Sequence, residues 1–141
     1  MFKNLEKYKQ GEYILKINEI HSKKCNAPSD GRGVYLVYNN NDLIYISSSG
    51  RVTEGDLEPK VRFSDGGGLW GRLTGGKLPN RNRIHKQLES DKIDSILIKW
   101  FVTYDETFQD KPADVRDIMK AEWVKLKGEL PVWNRKTNVD T

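Results

Sequence analysis

Four side chains in this sequence have the types needed to cleave a phosphodiester: Tyr35, Tyr45, Arg72 and Glu122. A guanidinium grips phosphate oxygens in a fork and stabilises charge that develops on them. A carboxylate can hold a divalent cation. A tyrosine hydroxyl pointed into a cleft can take part in proton transfer. Two strand tyrosines are by default core, so the reading depends on where the arginine and the glutamate lie.

The tyrosines belong to GVYLVYNNNDLIYISSS, residues 33–49. β-Branched and aromatic runs on either side of Asn39–Asp42 predict two antiparallel strands and a polar turn, because Asn and Asp tolerate left-handed backbone angles. A long glycine-containing stretch follows, and then LWGRL, a short helix carrying Arg72. Backbone N–H groups at such a helix start, together with a guanidinium, make a phosphate site. Asn80 or Asn82 could cap the next helix, RIHKQLES, which carries His85. SILIKWFVT, residues 95–103, is the clearest strand, and its two apolar faces predict a central one.

The last helix is predicted over about Pro112 to Lys127, with Pro in the first turn and Gly128 at the end. Val115, Ile118, Met119 and Leu126 form its expected buried stripe, and Glu122 falls within it by spacing. A carboxylate there needs a cation, a donor cluster or a metal, since burying it alone costs several kcal/mol. The bland alternative is a glutamate at the edge of the stripe that reaches solvent or pairs with a lysine.

At the N-terminus, Phe2, Leu5 and Tyr8 recur at helical spacing, so residues from about 2 to 20 are expected to begin as a helix that Gly11 stops. YILKI, residues 13–17, fits either an extension of that helix or a strand. Residues 21–32 have loop composition, and His21 has no context that recommends it. The expected organisation is an N-terminal helical extension and loop (1–32), one α/β (α+β) domain (33–136) with a small antiparallel sheet flanked by helices, and a polar tail (137–141).

The chain has 141 residues and a net charge of +4. That length suits one domain, and the mild basicity agrees with a polyanionic partner without requiring one. Basic residues gather between the hairpin and the third strand: Arg51, Lys60, Arg62, Arg72, Lys77, Arg81, Arg83 and Lys86. With Phe63 and Trp70 interleaved, they could form a phosphate-backbone footprint or a solvated basic loop. The single cysteine, Cys25, excludes an intrachain disulfide and a cysteine-only metal site. No apolar run reaches signal-peptide or membrane-spanning length, so a cytoplasmic protein with no membrane partner is expected. GRLTGGK, residues 71–77, matches the start of a P-loop, but Leu78 stands where Ser or Thr would hold Mg²⁺, and no buried strand precedes it.

Taken together, these motifs resemble the GIY-YIG nuclease superfamily. Gly33-Val34-Tyr35 resembles its first element and Tyr45-Ile46-Ser47 its second, with serine in place of the final glycine. Leu69 to Leu73 resembles its arginine helix, Glu122 its metal-binding glutamate, and Trp133-Asn134 its closing asparagine. The resemblance spans about residues 33–134. It implies a three-stranded antiparallel sheet flanked by helices, and hydrolysis of DNA with one divalent metal, Mg²⁺ or Mn²⁺. By position, Glu122 would ligate the metal, Arg72 would hold the scissile phosphate, and Tyr45 would position phosphate or water. Tyr35 would activate or orient water, and Asn134 would support the site by hydrogen bonding. A tyrosine of ordinary pKa, about 10, needs help to act as a base. Many members place a histidine one turn after the arginine, where this chain has Gly76. His85 lies further along, and Lys60 or Lys77 matches the lysine that some restriction-type members use. Arg51, Arg62, Arg81, Arg83 and Lys86 are the expected DNA contacts, and a double-strand cutter of this kind would be expected to form a homodimer. The alternative is a catalytically degenerate domain of the same type that binds nucleic acid or protein.

Overall fold

The computed structural model describes residues 2–49, 68–75 and 83–136. Its frame is a four-stranded antiparallel sheet in the order β1-β4-β2-β3. The strands are β1 (Lys9–Lys16), β2 (Arg32–Asn39), β3 (Asp42–Ser48) and β4 (Ser95–Tyr104). Among the described residues four helices accompany them: α1 (His21–Lys24), α2 (Leu69–Thr74), α3 (Arg83–Asp91) and α4 (Pro112–Lys127). Short 3-10 turns lie at Lys3–Leu5 and Val132–Arg135.

The sheet has four strands where three were expected. The N-terminal segment supplies the extra one: β1 pairs with β4 from Lys9↔Val102 to Lys16↔Ser95. The expected N-terminal helix is reduced to the turn at Lys3–Leu5. Tyr13 and Leu15 point to one face and are buried while their neighbours are exposed, which is the period of a half-buried edge strand. Residues 21–32 likewise hold a short helix, α1, and the first residue of β2.

The hairpin forms as its residues dictate. Asn40 takes φ 57 between β2 and β3, the left-handed conformation that asparagine tolerates. Gly33 is the second residue of β2, and the register to β4 shifts between Arg32 and Gly33. A Cβ at Gly33 would sit 1.7 Å from the Phe101 carbonyl oxygen, so only glycine allows this approach of the two backbones. β4 is central, as its two apolar faces require.

Strand alternation divides the core in two. Tyr35, Val37, Tyr45, Ile98, Trp100 and others face α2 and α3, where Leu69, Leu73, Ile84 and Leu88 meet them. Val34, Leu36, Ile46 and Phe101 face the other way, against Leu5, Tyr8 and Met119 of α4. The first face is closed by Trp133, whose indole N–H donates to Asp91 at 2.9 Å. Asp91 also accepts from Gln87 and from Lys136, so one carboxylate ties the chain end to α3. Burial opposes its charge, but the hydrogen bonds from Lys136, Gln87 and Trp133 outweigh that and hold its pKa below the ordinary value.

Candidate functional site

Tyr35 and Tyr45 come together. Their rings lie edge to face with centroids 6.0 Å apart, and the Tyr45 ring is a further 6.0 Å from Trp133. They are 2% and 1% exposed, inside the cluster that α2 and α3 cover. Such enclosure makes them core aromatics first. Ser47 is paired with Tyr35 across the hairpin and fits there with 3% exposure.

Arg72 is exposed on α2, the helix whose Leu69 and Leu73 pack on the same face. The start of that helix is not open to a phosphate, however. The N–H of Leu69 donates to the Gly31 carbonyl at 2.9 Å, and that of Trp70 to Pro28 at 3.1 Å. A Cβ at Gly68 would lie 2.2 Å from the Ser29 carbonyl oxygen, so the loop and the helix start are pressed together. The first two donors of the helix, the N–H groups of Leu69 and Trp70, are therefore used inside the fold. What remains on this face is a set of cations: Arg72, Arg83 and Lys86 are exposed on α2 and α3. His85 is half-buried, with Nε2 3.6 Å from Glu89 one turn on.

Asn134 is buried and spans a sheet edge. Its Nδ2 donates to the Ile46 carbonyl at 2.7 Å, and its Oδ1 accepts from the Ile46 N–H at 2.9 Å. The side-chain amide thus does for β3 what a neighbouring strand would do, and blunts an edge open to pairing.

Glu122 is not with the others. It is exposed, and it lines a groove with Leu5, Tyr8 and Met119, which belong to the opposite face of the sheet from Tyr35. The stripe expected to bury it is also corrected. Ile118 and Leu126 are 57% and 61% exposed. The inward residues are Pro112, Val115, Met119 and Trp123, one step around the helix. Oxygen ligands hold Mg²⁺ at about 2.0–2.1 Å, so a cation on Glu122 could not also touch groups across the sheet. Among the described residues, no group of three or more His, Cys, Asp or Glu could hold a metal ion. A metal held by Glu122 would therefore lie on the other face of the sheet from Tyr35 and Arg72.

One buried polar pair was not apparent from sequence. His21 is 1% exposed, and its Nε2 lies 2.5 Å from the Tyr13 hydroxyl. Burial, then the neighbouring Cys25 and Tyr35, push the Tyr13 pKa far above its ordinary value. Burial also raises that of Cys25, against an opposing hydrogen bond from Tyr13. The pair fastens α1 to β1. Its only sequence signal was a tyrosine and a histidine on either side of a turn.

Lys60, Lys77, Arg51, Arg62 and Arg81 lie outside the described residues. No helix among the described residues is long and apolar enough to cross a membrane. In comparisons with known proteins, no family model, no curated protein and no solved structure matches this chain.

Proposed function

We propose that this chain is a nucleic-acid-binding domain on a GIY-YIG-like scaffold, and that it holds a phosphate backbone against the α2–α3 face. The observation that carries the reading is a group of exposed cations on one face. Arg72, Arg83 and Lys86 are exposed on the helices of one face, and Glu122 stands on the other. Cations on one surface attract a polyanion and release its counterions; Glu89, exposed on α3 with its carboxylate 3.6 Å from His85, offsets them only in part. Arg51, Lys60, Arg62, Lys77 and Arg81 adjoin those helices in sequence.

Fluorescence anisotropy with a labelled DNA duplex tests this. Replacing Arg72, Arg83 and Lys86 by alanine together is expected to weaken binding and flatten its salt dependence by about one unit of slope per lost phosphate contact. Unchanged affinity and slope would reject the reading.

A second reading, a Mg²⁺- or Mn²⁺-dependent endonuclease, is favoured by one observation: the Tyr35–Tyr45 pair lies under the face that carries Arg72, beside a strand that Asn134 holds. Plasmid nicking with either cation separates the two. The binding reading expects no nicking; metal-dependent nicking by the wild type would establish the second.

A further inference from the structure

The face turned away from those cations has its own recognition features. A half-open groove of about 400 Å³ runs between the N-terminal turn and α4. Phe2, Leu5, Val115 and Met119 give it an apolar lining. One wall is a row of α4 side chains spaced four apart: Asp114, Ile118, Glu122 and, beyond the groove, Leu126. Residues so spaced form a ridge on a helix, the element that interdigitates with a second helix. This ridge alternates acid, apolar, acid, apolar. Ile118 and Leu126 are more than half exposed on it. At the far side of the groove, Asp110 is already engaged, accepting from the Tyr8 hydroxyl at 2.5 Å and lying 3.5 Å from Lys7. Asp114 and Glu122 form no ion pair with another described residue.

Charge selects the occupant. The groove lining carries three carboxylates, Asp110, Asp114 and Glu122, against two lysines, Lys7 and Lys111, and that balance disfavours phosphate backbones and anionic lipid surfaces. A second copy fits poorly as well. Antiparallel pairing of the ridge centred on Ile118 sets Asp114 against Glu122 of the other copy. Centring on Glu122 sets that residue against itself, and a half-step shift buries carboxylates against isoleucine and leucine. Each arrangement opposes like charges or leaves a buried charge unpaired. A ridge that alternates base and apolar at the same spacing satisfies every position.

We infer that the α4 ridge and its groove dock a basic amphipathic helix of a partner protein. The apolar side chains of that helix would lie over Ile118 and Leu126, and its lysines or arginines over Asp114 and Glu122. The surface does not depend on the nucleic-acid reading, since it lies on the opposite face of the sheet.

The test uses the full chain and a labelled helical peptide with Lys, Leu, Lys and Leu at four-residue spacing on an alanine and glutamine background. Two controls accompany it: the same peptide with Glu for Lys, and one with the same composition scrambled off the row. Polarisation titrations should give saturable binding of the first peptide, about tenfold or more tighter than either control, which equals a difference of about 1.4 kcal/mol. Ile118→Ser and the pair Asp114→Lys with Glu122→Lys should each remove that preference, and the charge-reversed pair should now favour the Glu peptide. All these positions are exposed, and circular dichroism with a thermal melt confirms that the variants fold. Arg72→Ala should leave peptide binding unchanged. No saturable binding, equal binding of the Glu peptide, or indifference to charge reversal would overturn the inference. So would a dimer of the chain that Ile118→Ser dissolves, because a second copy would then cover this face.

Discussion

The two faces of the sheet are made by the same strands, residue by alternate residue, yet they finish differently. On the α2–α3 face the core is closed by large aromatics, Trp100, Trp133 and the tyrosine pair, and cations stand outside it. On the α4 face the core is smaller, and the helix leaves an acidic and apolar ridge exposed. The sheet acts as a partition. Residues one apart in β2 and β3 belong to surfaces of opposite character, and side chains that look like one constellation in sequence can be divided by it.

The largest expected effect sharpens the contrast in packing. Trp133→Ala removes a fully buried ring and should cost about 3–5 kcal/mol in chemical denaturation. Ile118→Ala, on the exposed ridge, should change stability by about 0.5 kcal/mol or less. Similar losses from the two would break the comparison.

Next comes the tie between α3 and the chain end. Asp91→Asn should cost about 1–3 kcal/mol at neutral pH, because Lys136 and Trp133 lose the charge they bond. The Asp91 pKa is held below its ordinary value of 3.8, so its contribution is complete above that pH and is lost as pH falls through the lower folded value. Melting curves should therefore show the gap between wild type and variant shrinking below about pH 4. A gap independent of pH would show that the charge of Asp91 is not what matters.

A smaller effect concerns the cations. Alanine at Arg72, Arg83 and Lys86 together should weaken duplex binding about tenfold or more at low salt, with little change in stability. The smallest concerns Tyr35. If its ring is core, Tyr35→Phe should cost about 1 kcal/mol or less and leave duplex binding unchanged. Loss of DNA binding in that folded variant would move the tyrosine from the core to the interface.

The hairpin, β4, α2 and α4 were legible because each has a local cause: asparagines in the turn, two apolar faces, glycines before Leu69, and Pro112 and Gly128 at the helix ends. β1 was not. Its buried pair, Tyr13 and Leu15, is too short an alternation to outweigh the helical spacing of Phe2, Leu5 and Tyr8. His21 could not be placed until its partner strand was known. The face of Glu122 was lost for a different reason. α4 carries two apolar rows, Val115–Met119–Trp123 and Ile118–Leu126, and periodicity alone does not say which one meets the sheet.

On the proposed reading, DNA is held on the α2–α3 face while Glu122 stands outside that site. The most direct test is a supercoiled-plasmid assay in Mg²⁺, run on wild type and Glu122→Ala, with gel shifts from the same samples. Both proteins should retard the plasmid equally, and neither should nick it. Metal-dependent nicking by the wild type that Glu122→Ala abolishes would contradict that reading.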